Sequence, residues 1–530
     1  MCLADEGRFC PAAVPPTIWP VTTTLSSPRR LAALAAAALA LPLAGCGSSD
    51  SSSGGGAGDP AKAIPASASF YLEATVRPTG KQRADLEAAL GKILRTADPG
   101  AKLVELIDKS ADNGQTYEKD VKPWLGEKAA VAVTGFTAGK PDYAVVVAST
   151  DDDKARKTLE GDKDYSVKRS YEGVDYRVNP KEGDAQGVTD GYALDGTENG
   201  FKQVVHLLKK GGDSLSTNQD LRDARDKVGG DPGFMFVDLQ GLLRSVASNA
   251  ASTLGPSQLS AINTLFKRYR AFGVGIGADA QAIRLNIATL GEGGPAGNGP
   301  GSALPLDKAP RDAWLAFTQS DIGKSIQGVL DSLKNSSASD QITQLETATG
   351  LKVKEDLLSW MGDAGLFVEG DSVPALGGAL VIQSTDPAKT RTAIAKIRGL
   401  LRQFNTRTGP APAGASAGFS MAVGSGSKPV LIGLAGSRFV VAYGQKAFQD
   451  AVHPSSTLSG SANFKSASGL LGGGAKPSFY LDFQTLTRFI SLVAGDDKDF
   501  AKAKPYLAAF TAVIGGGAGD RRAEIAIGLK

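Results

Sequence analysis

Cysteine is almost missing from this sequence, and so is histidine. The only cysteines among 530 residues are Cys2, Cys10 and Cys46, all close to the amino terminus. The rest of the chain therefore forms no disulfide, carries no thiol nucleophile and offers no thiolate to a metal. Its fold must be stabilised by packing and hydrogen bonds alone.

Only two histidines, His206 and His453, are available for acid–base chemistry or metal binding. Each follows a Phe-x-x-x-Val pattern at the end of a predicted helix, where an imidazole interacts favourably with the partial negative charge of the helix terminus. A shared metal site would require both rings to meet beside carboxylates, and their spacing does not indicate one. We expect no metal and no cofactor.

The charge balance excludes further classes of function. Lysine and arginine number 58 and aspartate and glutamate 55, so the formal net charge is only +3. Because no basic stripe is visible either, nucleic-acid binding is not expected. The sequence has no Gly-x-Gly-x-x-Gly segment opening a helix and no phosphate-binding Gly-x-x-x-x-Gly-Lys-Ser/Thr loop. Its glycine clusters at 273–277 and 515–519 occur in strand or hairpin patterns.

Two motifs resemble catalytic or metal sites but favour simpler interpretations. Gly414-Ala-Ser416-Ala-Gly418 matches the Gly-x-Ser-x-Gly pattern of serine hydrolases. A nucleophile elbow needs a strand before it and a helix after it, whereas this segment is a Pro/Ala/Gly-rich loop leading into a predicted strand. The acidic runs Asp151–Asp153 and Asp496–Asp499 lack calcium-loop spacing and precede helical sequence, so we interpret them as helix caps. We expect no catalytic residues and no enzyme activity.

Residues 25–46 have the form of an export signal. Two arginines precede an apolar run, residues 31–41, which is too short to remain in a bilayer as a spanning helix. The segment ends Leu43-Ala44-Gly45-Cys46, which resembles the bacterial lipobox. This resemblance implies attachment of a diacylglyceryl group to the Cys46 thiol and cleavage before it. A plain secretory signal with a chance cysteine is the alternative.

The mature chain is therefore expected outside the cytoplasm, anchored to the cell membrane by lipid on Cys46. Residues 1–45 would be the signal peptide. Residues 46–63, rich in glycine and serine, would form a flexible tether because they have almost no apolar surface to bury. Such a tether holds a globular body away from the membrane.

The remainder carries the same landmarks twice in the same order. Asp120-Val-Lys-Pro-Trp124-Leu-Gly and Asp356-Leu-Leu-Ser-Trp360-Met-Gly each precede two apolar strands and then Ser-Thr-Asp-x-x-Lys-x-Arg. The two histidines also occupy corresponding positions. Ordered matches at a nearly constant spacing indicate an internal duplication. We interpret the paired tryptophans as core anchors, with an aromatic binding platform as the alternative.

These landmarks divide the body into repeat one at residues 64–290, a Gly/Pro-rich linker at 291–305 and repeat two at 306–530. Each repeat mixes alternating strands, such as residues 70–76, with continuous apolar strands and helical segments. Strands often come in pairs joined by short turns, so antiparallel pairing should dominate. The predicted fold class is α+β, in two tandem copies of one unit, with mostly antiparallel sheets and packed helices.

Three of these features together resemble a bacterial lipoprotein family known only as domain of unknown function 3352. They are an opening strand preceded by a proline, a Trp-Leu-Gly before a strand pair, and the lipoprotein signal. The resemblance covers most of residues 64–530. It implies a cell-envelope protein and brings no activity or site residues with it.

The sequence thus favours a non-catalytic lipoprotein that binds a ligand or partner at a concave surface within or between the repeats. A structural or assembly factor of the envelope is the first alternative, and a carboxylate-based hydrolase is the second. An apolar cavity would favour a lipid-like ligand, and an exposed apolar patch would favour a protein partner. Carboxylates with shifted pKa values meeting in a cleft would favour the hydrolase.

Overall fold

The computed structural model describes residues 58–110, 115–229, 232–250, 269–291, 304–332, 337–424, 427–472, 474–494, 497–519 and 521–530. These residues form nineteen strands in one antiparallel sheet, with helices packed on both faces. The predicted α+β class with antiparallel pairing is confirmed. Residues 58–291 are called the first half below, and residues 304–530 the second half.

The first half contains ten strands and six helices in its described residues. The strands are β1 (Phe70–Thr75), β2 (Leu125–Thr137), β3 (Lys140–Ser149), β4 (Val167–Tyr171), β5 (Val174–Val178), β6 (Asp184–Thr189), β7 (Tyr192–Thr197), β8 (Gly233–Asp238), β9 (Tyr269–Ala278) and β10 (Ala282–Gly291). The helices are α1 (Gly80–Leu94), α2 (Pro99–Ser110), α3 (Asp152–Glu160), α4 (Glu198–Lys210), α5 (Gln219–Val228) and α6 (Leu239–Ala250).

The described residues of the second half contain nine strands and seven helices. The strands are β11 (Ala313–Gln319), β12 (Met361–Glu369), β13 (Gly377–Ser384), β14 (Ala417–Met421), β15 (Val430–Ala435), β16 (Arg438–Tyr443), β17 (Lys476–Asp482), β18 (Phe510–Gly519) and β19 (Arg522–Leu529). The helices are α7 (Ile322–Ser332), α8 (Ser337–Thr349), α9 (Pro387–Gln403), α10 (Gln445–Val452), α11 (Ala462–Ser468), α12 (Phe483–Ala494) and α13 (Lys498–Leu507).

Strand pairing places the two halves side by side in the sheet. The spatial order is β4-β5-β6-β7-β3-β2-β1-β8-β9-β10 in the first half and β19-β18-β17-β11-β12-β13-β16-β15-β14 in the second. The halves meet at a seam where β10 pairs with β19, from Ala282 opposite Gly528 to Ala288 opposite Arg522. Read outward from this seam, both halves follow the same succession as far as β5 and β14, and β4 extends the first half alone.

One face of the sheet, called the core face here, carries the largest buried apolar cluster of each half. In the first half Tyr71 lies between Ala132 on β2 and Phe236 on β8. In the second half the corresponding central position is small and both of its neighbours are large, since Ala316 lies between Phe367 on β12 and Tyr480 on β17. Helices α4 and α5 cover this face in the first half, and α10 and α11 cover it in the second.

Glycines in β9 let α5 approach the core face closely. A Cβ added at Gly275 would lie 2.3 Å from the carbonyl oxygen of Val228, and one at Gly273 would lie 2.7 Å from the Cβ of Ala224. Neither separation is tolerated between real atoms. The glycines at 273–277 therefore allow α5 to pack closely on β9.

The two Asp-x-x-x-Trp segments form the same turn. Each begins as a short π-helix, Tyr117–Val121 or Val353–Leu357, and ends at a tryptophan that is 1% exposed. The indole Nε1 of Trp124 donates to the Asp120 carbonyl oxygen at 2.7 Å, and that of Trp360 donates to the Asp356 carbonyl oxygen at 2.8 Å. Both tryptophans are core residues, as interpreted from the sequence.

The ordered body extends beyond two of the predicted boundaries. Residues 60–62 form a helical turn in which Ala61 is buried, although the sequence assigns them to the 46–63 tether. Leu304, assigned to the 291–305 linker, is 3% exposed in the core of the second half. Because both segments are rich in glycine, the sequence does not indicate that their few apolar residues pack in the core. The signal peptide 1–45 and Cys46 lie outside the described residues.

Candidate functional site

Ser416 does not occupy a nucleophile elbow. It immediately precedes β14, and its hydroxyl donates a hydrogen bond to the carbonyl oxygen of Leu434 at 3.1 Å. The chain continues from it as a strand and not as the helix that an elbow requires. The Gly-x-Ser-x-Gly match is therefore the entry to a strand.

The acidic runs cap helices. Asp151 accepts the backbone N–H of Lys154 at 3.1 Å where α3 begins, and Asp386 accepts that of Lys389 at 3.0 Å at the start of α9. Asp497 accepts the N–H of Phe500 at 2.8 Å beside α13. These carboxylates satisfy amides that have no partner inside the helix. Asp496 lies outside the described residues.

The two histidines occupy different environments. His453 directly follows the last residue of α10, as predicted. His206 lies inside α4, one turn before its end at Lys210, and its Nδ1 is 2.7 Å from Glu172 Oε1. His206 thus lies one turn further from the helix end than the sequence predicts. The sequence could not reveal Glu172 as its partner, because that residue comes from the turn between β4 and β5.

We call the opposite face of the sheet the open face. Near the seam its apolar side chains are mostly half-buried, whereas its outer strands carry two further buried clusters. Directly paired residues on neighbouring strands share a face, so the pairings identify its members. In the first half they include Leu72, Val131, Met235, Ile276 and Leu285. In the second half they include Ile525, Val513, Leu481, Leu315 and Val368.

Amphipathic helices lie over the central part of the open face and leave apolar side chains exposed. Phe317 on β11 is 39% exposed, and Val329 on α7 is 49% exposed. Leu492 on α12 reaches 63%. Helix α1 of the first half approaches both β19 and α13 of the second half, so the helix layer crosses the seam. The helix layer over the central open face thus leaves part of its own apolar surface and part of that of the sheet exposed.

A small apolar cavity lies between α1 and the open face. Its volume is about 120 Å³, and its walls include Leu86 and Leu90 of α1 opposite Ile276 and Ile283 of the sheet. Apart from Thr75, whose hydroxyl is buried with no hydrogen-bond partner among the described residues, the lining is apolar. Aliphatic cavities of roughly 150 Å³ stay dry and accept a benzene-sized molecule. This one suits a short apolar group and is too small for a whole lipid.

Glu73 is a buried carboxylate with a structural role. It accepts hydrogen bonds from Tyr71 Oη at 2.6 Å, Lys128 Nζ at 3.0 Å and Arg225 Nη2 at 3.1 Å. Burial raises the pKa of Glu73, but the charges of Arg225 and Lys128 outweigh burial and hold the pKa below its usual value. Through these contacts Glu73 links β1 to β2 by way of Lys128 and to α5 by way of Arg225.

Glu369 borders an open cavity in the second half, of about 470 Å³. Lys446 Nζ donates to Glu369 and to Asp450 at 2.7 Å each and to Asp312 at 3.1 Å. Burial raises the pKa of Glu369 although Lys446 opposes it, and the charges of Asp450 and Asp312 raise it further. The indole of Trp314 forms part of the same wall.

Asp184 and Asp195 are two buried carboxylates on the neighbouring strands β6 and β7. Tyr143 Oη donates to Asp184 at 2.9 Å, and Tyr165 Oη donates to Asp195 at 3.2 Å. Burial and then the charge of Asp184 raise the pKa of Asp195 to about 7. Asp195 Oδ1 is buried with no hydrogen-bond partner among the described residues.

Within the described residues, no helix combines the length and apolar character needed to cross a bilayer. The same part of the chain contains no cluster of three or more histidine, cysteine, aspartate or glutamate side chains placed to hold a metal ion.

Comparison with known proteins places the chain in a family. The profile of a family described as a protein of unknown function, DUF3352, matches residues 31–512. The chain belongs to this family. No curated protein matches the sequence significantly.

Distant similarity to solved structures adds little. Crystal form I of TP0453 is 11% identical, with a TM-score of 0.24 over 45% of this chain and 80% of that one. Crystal form III of TP0453 is 10% identical, with a TM-score of 0.25 over 44% of this chain and 81% of that one. Scores this low carry no argument about the fold or the function of this member of DUF3352.

Proposed function

We propose that this protein is a lipid-anchored, extracytoplasmic binding protein that holds an apolar ligand against the open face without catalysing a reaction. The observation that carries the proposal is the half-buried apolar surface that crosses the seam beneath amphipathic helices. Near the seam the sheet does not need this surface for its core, because the opposite face carries the large buried cluster of each half. Apolar surface of this extent is stabilised when a ligand removes it from water.

The cavity beneath α1 is the natural entry point for the ligand. It already separates α1 from Ile276 and Ile283, so an acyl chain can begin there and continue along the neighbouring half-buried residues. Helix α1 ends at Arg95 in a left-handed conformation and is followed by polar residues. Displacement of such a helix would enlarge the cavity without disturbing the core face.

The two halves are, in this proposal, copies of one unit. The common strand order, the matching tryptophan turns and the exchange of large and small residues around Tyr71 and Ala316 support a duplication. The binding surface would then be built by both copies across the β10–β19 seam. This is the geometry in which duplicated units create a shared site.

The anchor is proposed from the sequence alone. Export and lipidation at Cys46 would keep the body close to a bilayer, and the Gly/Ser-rich residues that follow would let the open face turn toward it. Apolar molecules dissolve poorly in water, so a binding protein held beside a membrane is well placed to exchange them with it.

A fluorescent fatty acid provides the test, with a cavity-filling variant as the probe of the site. The chain from residue 58 onward, which contains every described element, should bind the fatty acid and raise its emission. Ala278 lines the cavity, so Ala278→Leu should weaken binding about tenfold while the melting temperature stays the same or rises. Ala375→Leu, at an exposed position, is the matched control and should leave binding unchanged.

Equal binding by both variants would contradict the proposed site. Absence of any fatty-acid binding, combined with retention of a specific envelope protein, would favour the structural or assembly role instead. In that case the exposed apolar residues, such as Leu492, would serve a protein contact.

A carboxylate-based hydrolase is the second candidate, and one observation favours it. Glu369 borders a cavity, and burial raises its pKa, as expected of a general acid. The opposing observation is Lys446, whose ammonium group donates a hydrogen bond to Glu369 at 2.7 Å and thereby opposes the rise in its pKa. Turnover of an ester or glycoside substrate that Glu369→Gln abolishes would establish this function and refute the non-catalytic one.

A further inference from the structure

A row of polar side chains crosses the outer strands of the first half on the same face as the apolar surface. The strand pairings define the row from the centre of the sheet to its edge. Its members, in order, are Leu72 on β1, Val131 on β2, Val145 on β3, Asp195 on β7, Gln186 on β6, Arg177 on β5 and Lys168 on β4. The row is apolar at the centre and becomes cationic at the edge.

The corresponding row of the second half is apolar to its end. Leu380 on β13 lies opposite Val441 on β16, which lies opposite Ile432 on β15, which lies opposite Phe419 on β14. Helix α9 packs on this row, as α3 packs on the polar one. The fold therefore does not require polar side chains at these positions. We look for a role other than packing for the polar residues of the first half.

A cavity of about 460 Å³ opens above the cationic end of the row. It lies between α3 and strands β4 to β6. Four basic side chains line it, and two acidic ones reduce its net charge to +2. These side chains are Arg156, Lys168, Arg169, Arg177, Glu160 and Asp175.

Two of the four cations pair with carboxylates that do not line the cavity, and when these partners are counted the charges around the cavity balance. Arg156 pairs with Asp153 at 2.8 Å, and Arg169 pairs with Glu198 at 2.5 Å. Arg177 has only a long contact of 3.8 Å to Glu160. Lys168 is exposed and has no ion-pair partner among the described residues.

Lys168 and Arg177 are directly opposite each other on neighbouring strands. Like charges in this arrangement repel each other and destabilise the strand pair. An anion held between them would remove the repulsion and satisfy both groups. Arginine offers two parallel N–H donors to a phosphoryl group, and lysine adds a compact positive charge.

We propose that this cavity binds the phosphoryl group of an anionic ligand, with Arg177 and Lys168 as its cationic contacts. The volume accommodates a phosphate together with a small ester substituent such as glycerol. The phosphoryl group can belong to a lipid headgroup or to a soluble phosphate ester. The proposal is independent of the apolar site, because a different cavity and different residues carry it.

Calorimetric titration tests the proposal. The exported chain, residues 46–530 with Cys46→Ser, is titrated at low ionic strength with inorganic phosphate and with dihexanoyl phosphatidic acid. Arg177→Gln and Lys168→Gln should each weaken binding about tenfold, because each removes one charged hydrogen-bond donor group. Lys140→Gln, an exposed lysine at the start of β3, is the matched control and should bind as the unsubstituted chain does.

The two probes distinguish the sources of the phosphoryl group. Tighter binding of phosphatidic acid supports a lipid headgroup, and equal binding supports a soluble phosphate ester. Millimolar phosphate should also raise the melting temperature of the unsubstituted chain and not that of the double variant that combines Arg177→Gln with Lys168→Gln. Failure of both probes to bind at millimolar concentration, or unchanged binding by the double variant, would overturn the proposal.

Chemical protection covers the case in which a variant does not fold. Phosphate should slow acylation of Lys168 in the unsubstituted chain, measured by mass spectrometry, while Lys140 reacts at the same rate with and without phosphate. Equal rates at both lysines would overturn the proposal. Phosphate binding that persists in Ala278→Leu would separate this site from the apolar one.

Discussion

Two carboxylates that are almost equally buried behave in opposite ways. Glu73 is 1% exposed and Asp195 is 5% exposed, so burial opposes ionisation of both. Glu73 faces Arg225 and Lys128, and its pKa lies below the usual value. Asp195 faces Tyr165 and a second carboxylate, Asp184, and its pKa rises to about 7. The neighbours, and not the depth of burial, decide the charge.

Asp195→Asn should stabilise the protein at pH 8 and have little effect at pH 4. In the unfolded chain the pKa of an aspartate is about 4. Between pH 4 and the folded pKa of about 7, the native state keeps a proton that the unfolded state has lost. The free energy of unfolding therefore falls as the pH rises through this window. Thermal melts should show a gain of about 5 °C for the variant at pH 8.

Glu73→Gln is the control with the opposite sign. The folded pKa of Glu73 is depressed, so its ionisation stabilises the protein above the unfolded pKa, and this stability is lost as the pH falls through the folded pKa. The variant should melt lower at pH 7 and approach the unsubstituted protein in acid. A melting difference of Asp195→Asn that did not change between pH 4 and pH 8 would contradict the assignment.

Cys46→Ala tests the anchor, which lies outside the described residues. The substitution removes the thiol that would carry the lipid. The chain should leave the membrane fraction or accumulate as an uncleaved precursor, as judged by fractionation and intact mass. A processed Cys46→Ala chain that still fractionates with membranes would show that lipidation at this residue is not the anchor.

At the scale of single elements, helix starts are specified locally. Asp151 and Asp386 each follow the same Ser-Thr pair, and each caps the helix that begins beside it. In both halves the preceding threonine also donates its N–H to the carbonyl oxygen of the buried tryptophan. The tryptophan turn and the helix start are thereby joined in one local unit.

Asp151→Ala should destabilise the first half by about 1 kcal/mol, because the N–H of Lys154 loses its acceptor. Asp153→Ala is the matched control, since Asp153 is in the first turn of the same helix and forms only an exposed ion pair with Arg156. Denaturant unfolding should resolve the difference between the two variants. Equal destabilisation would mean that charge near the helix start, and not capping, is responsible.

At the scale of the whole molecule, the β10–β19 seam unites the two halves. Seven residues of β10, Ala282–Ala288, pair with β19, and the neighbouring pairs on each side complete one sheet. Without the seam each half would expose an apolar edge strand, which is an aggregation hazard. The halves are thus expected to depend on each other for solubility.

Two separate chains, residues 58–291 and 304–530, should associate when they are expressed together. The seam supplies backbone hydrogen bonds and apolar contacts such as Leu285 opposite Ile525. Ile525→Lys should weaken the complex about tenfold, because a charge replaces a half-buried apolar group. Lys476→Gln, exposed on β17, should not affect the complex. Size-exclusion chromatography would contradict the prediction if the two chains eluted as separate folded monomers.

Much of the local structure could be predicted from the residues themselves. The tryptophan turns, the caps at Asp151 and Asp497 and the strand at Ser416 follow from short patterns, because their partners lie within a few residues along the chain. The end of α4 was predicted one turn too early, at His206, although the next four residues continue the helical pattern as far as Gly211. The tether boundary was misplaced because Ala61 and Ala63 pack against residues much later in the chain.

The candidate sites could not be found in the same way. The two-residue turn Glu172-Gly173 brings Lys168 opposite Arg177 locally. No spacing in the sequence connects this pair with Asp195, or Leu86 with Ile283, because their proximity depends on which strands pair and in which register. A shift of one residue in any pairing would move a side chain to the other face of the sheet.

The sequence by itself determined the α+β class, the absence of disulfides after Cys46 and several of the helices and strands, since these depend on composition and on periodicity over a few residues. Only the tertiary structure decided that the two halves join at β10 and β19, that the open face is half-buried near this seam, and that one outer row is polar. Those properties arise from contacts between residues far apart along the chain. Local preferences do not distinguish the alternative strand registers, and the free energy of burial selects among them.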